Sequence, residues 1–111
     1  MCIIPEVVTE NSVNMLRMEN YTKEDLGYGG HFAMEYFNGD NWTQIEFDFM
    51  FTDMMFTLPK GEATEGKMNL YSLAEEYNDS KKGRYRIIKN VNILVYPDPP
   101  SYNLIAAFEI K

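Results

Sequence analysis

Apolar side chains in this chain recur with a period of two, in short runs that each end at a cluster of Gly, Pro or Asn, and this rhythm commits the chain to strands. Leu16 and Met18 alternate with Arg17 and Glu19 before turn residues at 20–22 and 27–30. Phe32, Met34 and Tyr36 alternate with Ala33 and Glu35. The Asn-Gly-Asp-Asn sequence at 38–41 then predicts a hairpin ahead of Trp42, Ile45, Phe47 and Phe49, because Asn-Gly tolerates the positive φ of such turns. Pro59 and Gly61 mark a further reversal. Residues 84–96 make the strongest strand, rich in β-branched and aromatic side chains, with an irregularity expected at Lys89 and Asn90. The Pro-Asp-Pro-Pro run at 97–100 stops it, and Leu104, Ala106, Phe108 and Ile110 share one face of a closing strand. Residues 71–77 alone have helical propensity, enough for a single helical turn. The stretch 47–58, dense in Met and Phe, reads as a core strand bent at Asp53, with a membrane-facing patch as its rival.

At 111 residues, 45% of them hydrophobic and 14% aromatic, the chain suffices for one domain with a core that needs no disulfide or metal. The domain is expected to span 1–111, with 1–11 as a frayed N-terminal segment. About seven short strands with regular turn signals predict an all-β, immunoglobulin-like antiparallel sandwich of Greek-key connectivity. Tyr85, opening a late strand just after Gly83, fits the tyrosine corner of such sandwiches, in which the hydroxyl bonds upstream backbone while the ring packs inside. Trp42 and Gly83 are read as structural with it.

Taken together, these motifs resemble the immunoglobulin-like domains of bacterial envelope proteins. The resemblance covers residues 12–111. It rests on Met18-Glu19-Asn20-Tyr21-Thr22, Tyr28-Gly29, Phe32 and Glu35, the turn and tryptophan from Asn38 to Trp42, Lys60-Gly61-Glu62, the Gly83-Arg84-Tyr85-Arg86-Ile87 block, and Phe108-Glu109-Ile110. The cysteine pair of antibody domains is absent, so the likeness is to cysteine-free branches. It implies a non-enzymatic module acting as a spacer or interaction domain, outside the cytoplasm, with no catalytic residues. Cys2 suits the lipidated first residue of a mature lipoprotein, although the chain as given shows no signal sequence.

The charge of -7 argues against nucleic acid, whose phosphates are bound by a surplus of Lys and Arg. That charge is uneven: 2 basic and 10 acidic residues precede Lys60, net -8, and 8 basic and 7 acidic follow from it, net +1. Lys82, Arg84 and Arg86 are expected to face Glu35, Glu46 or Asp48 across strands. No apolar run approaches the roughly 20 residues of a transmembrane helix.

A single histidine, His31, and a single cysteine, Cys2, leave no multi-histidine or Cys-rich metal site and no nucleophile–base pair close in sequence. The glycines at 27–30 form no phosphate loop, and no cofactor is expected. Sequons at Asn20, Asn41 and Asn78 read as turn chemistry. A second functional reading is a carbohydrate- or protein-binding module, with a polysaccharide or protein at the cell surface as its partner. Its rings would be the loop tyrosines Tyr28, Tyr36, Tyr96 and Tyr102, since exposed rings stack on sugars and anchor interfaces. A remote third reading is a hydrolase drawing a carboxylate pair from Glu24, Asp25, Asp40, Asp48 and Asp53.

Overall fold

The computed structural model describes residues 1–48, 51 and 54–111. Among them the chain forms β1 (Cys2–Ile4), β2 (Val7–Val8), β3 (Asn14–Glu19), β4 (Leu26–Gly29), β5 (Ala33–Phe37), β6 (Trp42–Ile45), β7 (Met55–Leu58), β8 (Ala63–Met68), α1 (Leu70–Tyr77), β9 (Gly83–Ile93) and β10 (Ser101–Ile110). Two sheets form a sandwich. One has the order β1-β3-β8; the other runs β2-β10-β9-β4-β7, with β5 also on β9 and β6 on β5. All pairings are antiparallel except β2 with β10.

The long hairpin of β9 and β10 is the spine of the larger sheet. Tyr85, Ile87, Lys89, Val91 and Ile93 alternate toward the interior, and the residues between them point outward. The larger core cluster holds Tyr85, Ile87, Phe108, Met34 and Ile3, and a smaller one holds Met18, Leu26 and Leu58. Lys89 stands on β9 between the residues that serve the two.

Ten strands occur among the described residues where turn spacing predicts about seven, and β1, β2 and β4 are the additional ones. The segment expected to fray instead contributes to both sheets. Ile3 and Val8 are buried, Pro5 separates β1 from β2, and the buried Asn14 amide donates to the carbonyls of Pro5 (2.7 Å) and Val7 (3.2 Å) across that break. Burial of two branched side chains and this amide clamp offset the entropy of ordering a terminus. The glycines at 27–30, read as punctuation, mostly lie in β4. The Leu94 side chain sits 2.9 Å from where a Gly27 Cβ would be, so a missing side chain serves close packing in the sheet.

The hairpin at 38–41 forms as its sequence predicts. Asn38 Oδ1 accepts from the backbone N–H groups of Asp40 (3.0 Å) and Asn41 (2.9 Å), and Gly39 takes φ +104°. The helix runs to eight residues rather than one turn, because Leu70 and Ala74, one turn apart, are both buried against the core. In the Met- and Phe-rich stretch, Phe49, Met50, Thr52 and Asp53 lie outside the described residues, and so does the expected bend. Phe47 packs half-buried against the larger core cluster, whereas on the C-terminal side the core-strand expectation is corrected. Only Leu58 of β7 is buried, while Met54, Met55 (67% exposed) and Phe56 lie open, because β7 is an edge strand.

Across the outer face of β5 and β9 the charge complementarity is specific. Arg86 pairs with Glu35 at 2.5 Å, in register, and stacks 4.2 Å over the Trp42 ring. Such a cross-strand pair contributes about 0.2–1 kcal/mol. Arg84 stands opposite Glu109 instead of an acid of the N-terminal half.

Candidate functional site

Tyr85 closes a tyrosine corner. Its ring is 0% exposed, stacked on Phe108 at 5.3 Å and tilted against Tyr36 at 4.9 Å. Its hydroxyl donates to the Lys81 carbonyl and accepts from the Asn78 amide at 2.9 Å, which ties the segment after α1 to β9. Gly83 takes φ +129°, a conformation that side-chain-bearing residues rarely adopt, and the Tyr36 ring packs beside it. Trp42 packs beside Phe37 at 5.2 Å on the outer face.

The four candidate loop tyrosines differ in exposure. Tyr96 (85% exposed) and Tyr102 (51%) stand free near the turn between β9 and β10. Tyr36 is half-buried, its hydroxyl donating to the Lys82 carbonyl at 3.2 Å. Tyr28 is half-buried too, stacked on Phe56 at 5.4 Å.

Concavity and polar chemistry meet elsewhere, on the outer face of the larger sheet. A hollow of about 430 Å³ is lined by Asn90, Asn92 and Asn103, with Gly29, His31, Phe32, Ala33, Met55, Ile88 and Tyr28 around them. Asn90 and Asn103 face each other in register, and Asn92 stands two residues along β9. The Asn90 amide donates to Ser101 Oγ (2.8 Å), Asn103 Oδ1 (3.2 Å) and the Tyr102 carbonyl (3.3 Å). The half-buried Asn92 amide has no hydrogen-bond partner among the described residues. Gly29 presents no side chain there, and Met55 and Ile88 supply apolar wall. A second hollow of about 270 Å³ lies at the other end of the strands, with Trp42, Arg84, Ala107 and Glu109.

The period-two reading missed the asparagines, although one signal was present: asparagine is depleted in strands, and Asn90 and Asn92 occupy successive outward positions of the strongest one.

Lys89 holds the bulge that borders the hollow. Between Tyr28, opposite Val91, and Ala33, opposite Ile88, the β4–β5 segment carries extra residues that bulge away from β9. The Lys89 ammonium donates to two carbonyls there, Gly29 (2.8 Å) and His31 (3.2 Å). The irregularity expected at Lys89 and Asn90 thus lies in the facing strand, while β9 continues unbroken. Burial pushes the Lys89 ammonium below the usual lysine range.

Asp25 accepts from the Lys60 N–H (3.0 Å), Asp48 accepts from the Tyr77 hydroxyl (2.7 Å), Glu24 and Asp40 are exposed, and Asp53 is outside the described residues. Asp48 raises the Tyr77 phenol to about 12, chiefly by accepting its proton in a hydrogen bond. An alkaline absorbance titration is expected to show one phenol ionising near 12, and Asp48→Asn to return it toward 10. A wild-type titration without that late component would contradict the pairing.

Among the described residues no three His, Cys, Asp or Glu side chains gather to hold a metal ion. His31 is exposed, its ring 4.7 Å from Phe51, and Cys2 is half-buried in β1 opposite Arg17. No helix among those residues is long and apolar enough to cross a membrane. The Asn20 amide is buried, which fits its reading as turn chemistry. A family model described as a bacterial Ig-like domain matches residues 4–109. No curated protein and no solved structure gives a match.

Proposed function

The chain belongs to the bacterial Ig-like domain family, and from that membership we propose that it is a non-enzymatic interaction module of the cell envelope that binds a glycan on the outer face of its larger sheet. The observation that carries this reading is the asparagine hollow. Planar amides offer a donor and an acceptor side by side, the pattern that vicinal hydroxyls present, and the Asn92 amide is half-buried without a partner among the described residues. Met55 and Ile88 provide apolar surface for the C–H faces of a sugar ring.

The two hollows lie along one face. From Asn92 to Arg84 the outward positions of β9 span about 26 Å at strand rise, long enough for several sugar units of an extended chain. Loop tyrosines are not needed for this version. A role as a spacer alone would leave the hollow unoccupied.

A glycan array followed by calorimetry on the best binder tests the reading. Asn92→Ala and Asn103→Ala are each expected to weaken binding at least tenfold with an unchanged circular dichroism spectrum, since each removes hydrogen bonds to a neutral ligand worth about 1–1.5 kcal/mol together with ordered contacts. Failure of every glycan to bind, or binding indifferent to both substitutions, would sink it.

A further inference from the structure

The opposite, inner face of the same sheet carries a second feature, independent of the glycan reading. Between the sheets a groove of about 260 Å³ runs from the β7 and β8 edges to Lys89 at its base. Leu16, Met18 and Met68 wall it from the smaller sheet, and Tyr28 and Phe56 from the larger. It stays open because Gly66, on the inward side of β8 opposite Leu16, has nothing within 4 Å of where a Cβ would stand.

Lys89 is the only buried side chain among the described residues that carries a charge at neutral pH, at 6% exposure. Its ammonium lies 5.4 Å from the Tyr28 ring centre. Two of its three protons go to the Gly29 and His31 carbonyls, and no carboxylate reaches it: the ion pairs among the described residues involve Arg17 and Arg86. A buried cation held only by neutral carbonyls is a costly arrangement that an anion relieves.

We propose that this groove binds a small amphiphilic carboxylate, whose carboxylate accepts the remaining Lys89 proton while its alkyl chain lies between Met18 and Met68 on one side and Tyr28 and Phe56 on the other. One remaining proton on one ammonium matches a monoanion better than a doubly charged phosphate. The volume equals roughly eight or nine water molecules, the size of a medium-length chain rather than a long-chain lipid. The rim residues Glu65 and Lys67 carry opposite charges, so Lys89 decides the sign at the base.

The test titrates octanoate, octanol and octylamine into the full chain with methyl-labelled methionine. Octanoate is expected to shift the Met18 and Met68 methyl resonances and to bind at least tenfold more tightly than octanol, with octylamine weaker still. Lys89→Met is expected to remove the preference for octanoate over octanol. Should that variant fail to fold, Gly66→Leu fills the groove with Lys89 intact and is expected to abolish the methyl shifts. Octanol binding as tightly as octanoate, shifts confined to other methionines, or octanoate binding that survives Gly66→Leu would each overturn the proposal. None of these outcomes bears on the Asn92 variant, so the two sites stand or fall separately.

Discussion

Tyr85→Ala is expected to lower the unfolding free energy by about 3–5 kcal/mol, the range for deleting a large buried aromatic side chain. Against a total of about 5–15 kcal/mol for a domain of this size, that is enough to leave much of the chain unfolded at 37 °C. The ring is wholly buried, touches Phe108 and Tyr36, and joins α1's exit to β9 through Lys81 and Asn78, so no neighbour can collapse into its place without moving the corner. Tyr85→Phe separates the two contributions. It keeps the packing and removes the hydroxyl, leaving the Asn78 amide and the Lys81 carbonyl to find water, at about 1–3 kcal/mol. Burial raises the Tyr85 phenol above its ordinary 10.0. Such a group stabilises fully below pH 10, and that stability is lost as pH rises through its folded pKa. Urea unfolding followed by circular dichroism reads both variants. A Tyr85→Phe midpoint equal to wild type would show that the corner hydrogen bond contributes nothing.

Asn20→Ala is expected to cost about 2–4 kcal/mol although it removes only a short polar side chain. The amide is buried, and its Nδ2 donates to the carbonyls of Glu24 and Leu58, both at 2.9 Å. Its Oδ1 accepts from the Thr22 N–H (3.0 Å) and hydroxyl (2.7 Å). Its own backbone bonds Glu62 and Gly61, so one residue joins the end of β3, the approach to β4 and the turn between β7 and β8. Truncation strands the Leu58 carbonyl in a buried site, which costs about 1–3 kcal/mol by itself, and releases the Thr22 turn as well. Asn20→Asp is the sharper control, because it keeps the acceptor but turns both donors into repulsive oxygen–carbonyl contacts. Hydrogen exchange is expected to quicken at residues 20–26 and 58–62 in either variant. A midpoint within about 0.5 kcal/mol of wild type for Asn20→Ala would show that water replaces the amide.

The lesson of comparing chain and fold lies in particular residues. Asn38-Gly39 announced its hairpin and Gly83-Arg84-Tyr85 its corner, because both are conditions on neighbouring backbone: a positive φ, a hydroxyl reaching four residues upstream. The asparagine hollow was half legible. Alternation puts Asn90 and Asn92 outward on β9, yet Asn103 and Gly29 join them only through pairings 13 and about 60 positions apart in the chain.

Lys89 marks the dividing line most plainly. The residues alone predict an irregularity at Lys89 and Asn90, whereas β9 keeps its alternation through them and turns Lys89 to the inner face with Ile87 and Val91. What alternation cannot express is depth. The bulge between β4 and β5 that offers it two carbonyls, and the gap left by Gly66 in front of it, arise from strands separated by whole connections. Local sterics and hydrophobic rhythm therefore dictated strands, turns and faces from the residues alone. Packing between the two sheets, a property of distant residues meeting, decided which N-terminal segment is ordered and where, among the described residues, an amide lacks a partner and a cation lies buried without an anion.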